Sequence, residues 1–334
     1  MKDKPSILLT GGTGFVGRNL VDKVSERCEN LRVLVRPSSV TERLVGKVEL
    51  VYGDLCDLNS LLLCLDDIDV VIHCAALMSD KDHLPPEDFY QHNVIGTENV
   101  LKACLGKDIK RFIHVSTVGV YGATGLEPVA EDEGYGKDLS VYEGSKVEAE
   151  GVVLRYSSHY KLPVTIVRLG LLYGPDMSYG WPDVLRRMEN GKMRIVGRGD
   201  AMLQLTYIDD AIRGMLMTLG NPRARGEVYN ICGREVRSVK EIFSKMTDLL
   251  GVSRPRSVPY EMVYSAALLL RCVPRLLKPQ SLSLLSTHRV RFFKDHRVYD
   301  ISKAKEHLGY IPEIDVNEGM KMMVSEYLEQ RDVA

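Results

Sequence analysis

At 334 residues with 45% hydrophobic content, the chain can bury a full core, as one large domain or a domain with a lobe, and needs neither metal nor disulfide to fold. Lys plus Arg number 44 against 45 Asp plus Glu, a formal net charge of −1. That balance offers no broad electrostatic footprint for nucleic acid, so any anion must be held locally.

Met1 to Pro5 is polar and runs straight into an apolar strand. Neither a secretory signal nor a transit peptide is written there, which predicts a cytoplasmic protein. The longest apolar run, Tyr264 to Leu270, falls well short of the roughly 20 residues of a spanning helix, so no membrane insertion is expected. Seven cysteines (Cys28, Cys56, Cys64, Cys74, Cys104, Cys232, Cys272) show no C-x-x-C pair and no histidine at ligand spacing. They read as buried reduced thiols, with no metal site.

In chain order, Ile7–Thr10, Arg32–Val35, Val48–Val51, Val70–His73 and Arg111–Ser116 read as short apolar strands with helical patterns between most of them. Parallel strands need long crossovers, and strands covered on both faces are apolar throughout. A doubly wound parallel sheet of the Rossmann α/β class follows. A long helix over Val141–Tyr160 and a buried strand over Val164–Leu169 extend it. Beyond Tyr173-Gly174-Pro175 the elements shorten: a helix near Trp181–Glu189, a strand near Arg194–Val196, a helix from Asp209, a strand over Glu227–Ile231 and a helix from Ser238. We read a dinucleotide-binding domain over 1–175, to which segments near 205–235 return, and a smaller, interleaved C-terminal substrate lobe over 176–330.

Directly after the first strand stands Gly11-Gly12-Thr13-Gly14-Phe15-Val16-Gly17, then the amphipathic run Asn19 to Val24. Glycines at a strand-to-helix turn let backbone N–H groups approach a pyrophosphate, and the helix N-terminus adds a favourable dipole. Tyr142 and Lys146 lie four apart on a predicted helix and so share one face. A free phenol has a pKa of about 10; an adjacent ammonium would stabilise the phenolate and lower it. Tyr142 could then exchange the proton of a substrate oxygen while hydride moves to or from a nicotinamide.

The spacing G-x-x-G-x-x-G, followed by Gly53-Asp54-Leu55, His73-Cys74-Ala75-Ala76, Asn93-Val94-Ile95-Gly96-Thr97, Val115-Ser116-Thr117, Tyr142-Glu143-Gly144-Ser145-Lys146 and finally Tyr299-Asp300-Ile301-Ser302-Lys303-Ala304, resembles the extended short-chain dehydrogenase/reductase family over most of the chain. The resemblance implies cofactor contacts from Gly11, Thr13, Gly14, Phe15, Val16 and Gly17, from Asp54 and Leu55 at the adenine, and from Cys74, Ala75 and Ala76. It also implies that Thr117 bonds the substrate oxygen, that Tyr142 exchanges the proton, that Lys146 holds the cofactor ribose and that Asn93 supports the helix geometry. A homodimer is expected from resemblance alone.

At the end of the second strand an acidic residue binds a ribose 2′-hydroxyl, whereas an arginine accommodates a 2′-phosphate. Here Val35-Arg36-Pro37-Ser38-Ser39 favours NADP over NAD through Arg36. His73 and His114 sit in strand patterns and read as packed side chains, so no histidine is assigned a catalytic part.

The family contains sugar-nucleotide epimerases, sugar-nucleotide dehydratases, and reductases or dehydrogenases of alcohols and ketones. Dehydratases resembling this chain carry Asp-Glu after the active-site Thr; here Val118-Gly119 follows Thr117, which argues against dehydration. Sugar-nucleotide members carry an Asn and an Arg where this chain has Leu171 and Leu203, and losing both weakens the grip on a diphosphate, although Arg194, Arg198 or Arg234 could substitute. The apolar stretch from Met262 to Leu285 would line a site for a greasy substrate, or pack on the sheet, or form a dimer face. The first expectation is an NAD(P)-dependent oxidoreductase acting on a small-molecule secondary alcohol or ketone. A UDP-sugar 4-epimerase is the alternative, and a non-catalytic cofactor-binding protein has no need of Thr117, Tyr142 and Lys146 together.

Overall fold

The computed structural model describes residues 4–78, 84–271 and 286–333. Cys272 and the 272–285 part of the apolar stretch, like residues 1–3 of the N-terminus, lie outside the described residues.

The elements begin β1 (Ser6–Thr10), α1 (Phe15–Ser25), β2 (Asn30–Val35), β3 (Glu49–Tyr52), α2 (Leu58–Cys64) and β4 (Val70–His73). One helical rod follows, made of α3 (Pro86–Phe89), a π-helical turn over Tyr90–Ile95 and α4 (Gly96–Cys104). Then come β5 (Arg111–Thr117), a 3-10 turn over Val118–Tyr121, α5 (Val141–Tyr160) and β6 (Val164–Leu169). The remainder is β7 (Leu171–Tyr173), α6 (Trp181–Glu189), β8 (Arg194–Val196), β9 (Met202–Tyr207), α7 (Ile208–Leu216), β10 (Val228–Ile231), β11 (Val236–Ser238), α8 (Val239–Leu250), β12 (Arg256–Val258), α9 (Tyr260–Arg271), α10 (Thr287–Arg291), α11 (Ser302–Leu308) and α12 (Val316–Val333).

Seven strands form the main sheet in the order β3-β2-β1-β4-β5-β6-β10, every neighbouring pair parallel. This is a doubly wound Rossmann sheet, with the chain leaving β1 toward one edge and β4 toward the other. β1, β4 and β6 are buried along their whole length, which is why their sequences are apolar runs without alternation. β3 departs from the expected fully covered strand: Glu49 and Tyr52 are exposed, because β3 is an edge strand and lacks a neighbour on one side. Two large apolar clusters occupy the two sides of the sheet, one holding Leu20, Val33, Ile72 and Val167, the other Leu8, Val71, Leu101 and Val153.

β10 joins the main sheet beside β6, in register from Val228↔Ile166 to Ile231↔Leu169. Two further sheets stand apart from it: β7-β9-β11, and the pair β8-β12. The sequence reading identified only β8 among these strands. Most are three residues long with partners far along the chain, too short to show a period of two.

Local chemistry explains the helix ends near the site. α5 starts on a complete capping box, in which Ser140 Oγ accepts from Glu143 N at 3.2 Å and Glu143 Oε2 accepts from Ser140 N at 2.8 Å. α8 repeats the device with Ser238 and Glu241. α1 has neither: its cap is Gly14, no side chain bonds its first N–H groups, and no acidic residue stands in its first turn.

Candidate active site

The expected site residues come from separate stretches that the parallel register brings to one edge. Thr10 pairs with Leu34 and with His73, Val35 with Tyr52, and His73 with His114, so the carboxyl ends of β1 to β4 lie level and β5 runs three residues beyond them to Thr117. Gly11, Arg36, Asp54, Cys74 and Thr117 each stand at or just past one of these ends. Ligands of open α/β sheets bind at that edge.

The glycine turn is built for close backbone approach. A Cβ on Gly17 would stand 2.2 Å from Gly11 O, and one on Gly11, whose φ is +76°, would stand 2.6 Å from Ala75 N. Both positions therefore exclude any side chain: the first turn of α1 packs directly on the glycine turn, and Gly11 packs on the loop after β4. A Cβ on Gly14 would meet only Gly11 O, at 3.3 Å, so its outer side is open. The uncapped N–H groups of α1 and that open side match what a pyrophosphate needs. Thr13 and Val16 are half-buried beside the turn, and Phe15 is buried and anchors α1.

Past β3, Asp54 Oδ1 accepts from Cys56 N at 2.8 Å, which shapes the loop. Leu55 is held by Asn99 Nδ2 on its carbonyl at 2.9 Å and by α4, where Gly96 comes close enough that a Cβ would meet Leu55 at 3.0 Å. Cys74, Ala75 and Ala76 are half-buried past β4. Arg36 is exposed; its backbone closes a turn with Ser39 through 2.9 and 3.2 Å bonds.

Thr117 ends β5, and its Oγ1 accepts from Gly119 N at 3.1 Å, which starts the following 3-10 turn. Tyr142 is half-buried in the first turn of α5, and burial pushes its phenol upward, with Tyr179 and the Glu143 carboxylate adding to the shift. Lys146 is 2% exposed, one turn further on. Its Nζ donates to Val115 O at 2.8 Å and stands 3.3 Å from His114 Nε2. Burial pulls Lys146 down to about 8, against the opposing effects of Glu150 and Cys74.

The expectation of a phenol lowered by its lysine is thus corrected: in the chain alone the lysine is engaged with β5, and desolvation governs Tyr142. His73 and His114 are packed as expected. His73 bridges Thr10 Oγ1 at 2.8 Å and Thr97 Oγ1 at 3.0 Å, and burial pushes it down to about 3. His114 is also held neutral by burial and by the nearby lysine.

Two supports were not assigned their full part by sequence reasoning. Asn93, 1% exposed in the π-helical turn, accepts from Leu77 N at 2.6 Å and donates to Leu77 O at 3.0 Å and to Ser145 Oγ at 2.9 Å. One side chain thereby ties the loop after β4 to α5; a widened turn at such a position is common at functional sites. Beneath Thr117, Ser116 Oγ donates to Glu150 Oε1 at 2.5 Å, and Arg168 Nη2 donates to Glu150 Oε2 at 2.7 Å. The only sequence signal for this network was the four-residue step from Lys146 to Glu150 along α5.

Other expectations resolve plainly. Cys56 is exposed, with Sγ 3.6 Å from His92 Nδ1, and Cys74 is half-buried, so these two are not the sealed thiols anticipated; both lie in loops at the sheet edge. Leu203 is buried and Leu171 half-buried. Arg198 is spent on Asp200 at 3.1 Å, Arg234 faces Glu235 and Asp315 at 3.5 and 3.6 Å, and Arg194 donates to the carbonyls of Gly191 and Met193, both at 2.7 Å. Within α9, Ala267 is buried while Met262 and Leu269 are exposed. Among the described residues no helix is long and apolar enough to cross a membrane, and no group of three His, Cys, Asp or Glu could hold a metal.

A profile described as the NAD dependent epimerase/dehydratase family matches residues 7–232, from β1 through β10. The chain belongs to that family. It is accordingly an enzyme of the extended short-chain dehydrogenase/reductase superfamily. Among curated relatives, this epimerase/dehydratase family member is 27% identical to a 3beta-hydroxysteroid-dehydrogenase/decarboxylase of Arabidopsis thaliana, over 96% of this chain and 79% of that protein. It is also 27% identical to a 2-alkyl-3-oxoalkanoate reductase of Stenotrophomonas maltophilia strain K279a, over 95% of this chain and 98% of that one. A solved UDP-glucuronic acid 4-epimerase from Bacillus cereus, in complex with UDP-glucuronic acid and NAD, is similar with a TM-score of 0.77 and 26% identity, covering 97% of this chain and 99% of that chain.

Proposed function

We propose that the protein is an NAD(P)-dependent oxidoreductase that interconverts a secondary alcohol and a ketone lying β to a carboxylate. The observation that supports the reading is the placement of Thr117 at the end of β5 and of Tyr142 and Lys146 on the first turns of α5, which is tied to β5 by Lys146 Nζ to Val115 O, in a sheet whose glycine turn leaves α1 uncapped. When bound, the cofactor supplies a nicotinamide that accepts or donates hydride.

The glycine turn from Gly11 to Gly17 would receive the pyrophosphate, Asp54 and Leu55 the adenine side, and Cys74 to Ala76 the wall behind it. Arg36, free of any side-chain partner among the described residues, suits a 2′-phosphate and favours NADP. Lys146 would hold the ribose, and its charge would favour the phenolate of Tyr142 once it is drawn from Val115 O. Thr117 donates a hydrogen bond to the substrate oxygen, and Tyr142 takes the hydroxyl proton on oxidation or returns it on reduction.

The carboxylate enters from the relatives' chemistry: one decarboxylates, one acts on a 3-oxoalkanoate, and one on a glucuronic acid. Oxidation of an alcohol β to a carboxylate gives a β-keto acid, which loses carbon dioxide readily, so dehydrogenation and decarboxylation join naturally on such a substrate.

The second reading, a UDP-sugar 4-epimerase, is favoured by the likeness to the Bacillus cereus enzyme. Against it stand the apolar Leu203 and Leu171 and the prior commitments of Arg194, Arg198 and Arg234. Calorimetric titration with NADP, NAD, UDP and UDP-glucose in parallel tests the choice. Dinucleotide binding without nucleotide-sugar binding is the expected result; tight UDP or UDP-glucose binding would overturn the oxidoreductase reading in favour of the epimerase.

A further inference from the structure

One buried cation near the trio is short of partners. Arg297 lies between α10 and α11, its backbone tied to β9 by Arg297 N to Met202 O at 2.7 Å and Gln204 N to Arg297 O at 3.1 Å. The residue is 8% exposed, and its Nε is buried without a hydrogen-bond partner. Its Nη1 stands 3.8 Å from Glu143 Oε1, a charge contact longer than a hydrogen bond. Its guanidinium also hydrogen-bonds the Tyr299 side chain, and the Phe292 ring has its centroid 5.8 Å from the guanidinium carbon.

Glu143 fixes where this cation stands relative to the chemistry. Glu143 Oε2 is held by Ser140 N, and Oε1 lies 3.1 Å from the point where a Cβ on Gly119 would be; Thr117 Oγ1 is 3.3 Å from that same point. Arg297 is therefore joined, through one carboxylate, to the turn that carries Thr117 and to the residue following Tyr142. His288 Nε2 approaches the same Glu143 oxygen at 3.8 Å and adds a second donor from α10.

A buried guanidinium N–H without a partner is costly unless a ligand completes the shell. The edge that carries Nε is one that clasps a carboxylate with two parallel bonds, and Glu143, engaged at Nη1, leaves that Nε unmatched. We propose that Arg297, with His288 as a second donor, receives the carboxylate of the substrate and sets the preference for an acid over a neutral alcohol. The proposal rests on the oxidoreductase reading above, which it sharpens from a substrate class to a subsite.

The test compares 3-hydroxyhexanoate with its methyl ester on wild-type protein, Arg297→Gln and Arg297→Lys, and measures hexanoate binding to the cofactor-loaded protein by calorimetry. Loss of one partner of a buried charge pair should lower the acid-to-ester ratio of kcat/KM about 100-fold in Arg297→Gln, chiefly through KM, and about 10-fold in Arg297→Lys, which keeps the charge but not the fork. An unchanged ratio in either variant overturns the subsite. If the wild type turns over neither compound, hexanoate binding decides separately. Binding that is at least about tenfold weaker in the Arg297 variants upholds the subsite while the oxidoreductase reading falls. Equal binding in all three overturns the subsite.

Discussion

Replacing Glu150 with Gln tests how the floor under Thr117 is held. Glu150 is 0% exposed and Arg168 3% exposed. The carboxylate takes Arg168 Nε at 3.1 and 3.2 Å, Arg168 Nη2 at 2.7 Å, Ser116 Oγ at 2.5 Å and Tyr135 OH at 3.0 Å. Gln matches the volume and keeps one acceptor, but it leaves a buried guanidinium uncompensated, at a cost of about 3–5 kcal/mol. That is a large share of a typical stability of roughly 5–15 kcal/mol. At roughly 2–4 °C per kcal/mol for large domains, the thermal midpoint should fall by about 6–20 °C, read by circular dichroism. The double variant Glu150→Leu/Arg168→Met removes both charges and should recover much of the loss, because the penalty comes from the orphaned cation. A midpoint within about 1 °C of wild type for Glu150→Gln, or additive losses in the double variant, would refute the reasoning.

Three further outcomes follow from the same geometry. Tyr142→Phe should keep the fold and cofactor affinity while turnover drops by roughly 10²–10⁴-fold in a steady-state assay; a fully active variant removes Tyr142 from its part. Gly17→Ala drives a Cβ to 2.2 Å from Gly11 O, a backbone atom that cannot swing aside, so stability should fall by about 1–3 kcal/mol and cofactor binding by at least about tenfold in titration. Lys146 is held at about 8 in the fold against 10.5 ordinarily, so between those values the unfolded chain binds the extra proton and stability rises with pH. Burial pushes the Cys74 and Cys104 thiols up to about 12 and so pulls the other way above their ordinary value of 9.0; the test is therefore the wild-type minus Lys146→Met urea midpoint, which should grow across that window, and a constant difference would contradict the assignment.

Much of the architecture was legible because its signals are local. Apolar runs bounded by turn residues mark β1, β4, β5 and β6, and glycines between a strand and an amphipathic helix mark the turn at Gly11 to Gly17. The Tyr142–Lys146 step falls on one helix face whatever surrounds it. β7, β9, β11 and β12 were illegible for the opposite reason: short strands exist only through partners distant in sequence, and no window of the chain contains both.

The site divides along the same line. Sequence alone determined which residue types stand at the strand ends and on the first turns of α5, since these follow from chain order and helical period. Only the tertiary structure decided that Lys146 rests on Val115 O, that Asn93 joins Leu77 to Ser145, and that Arg297 reaches Glu143. Those contacts bridge segments far apart along the chain, and burial, which sets their strength and the proton affinities of Tyr142 and Lys146, is a property of the packed molecule rather than of any stretch of it.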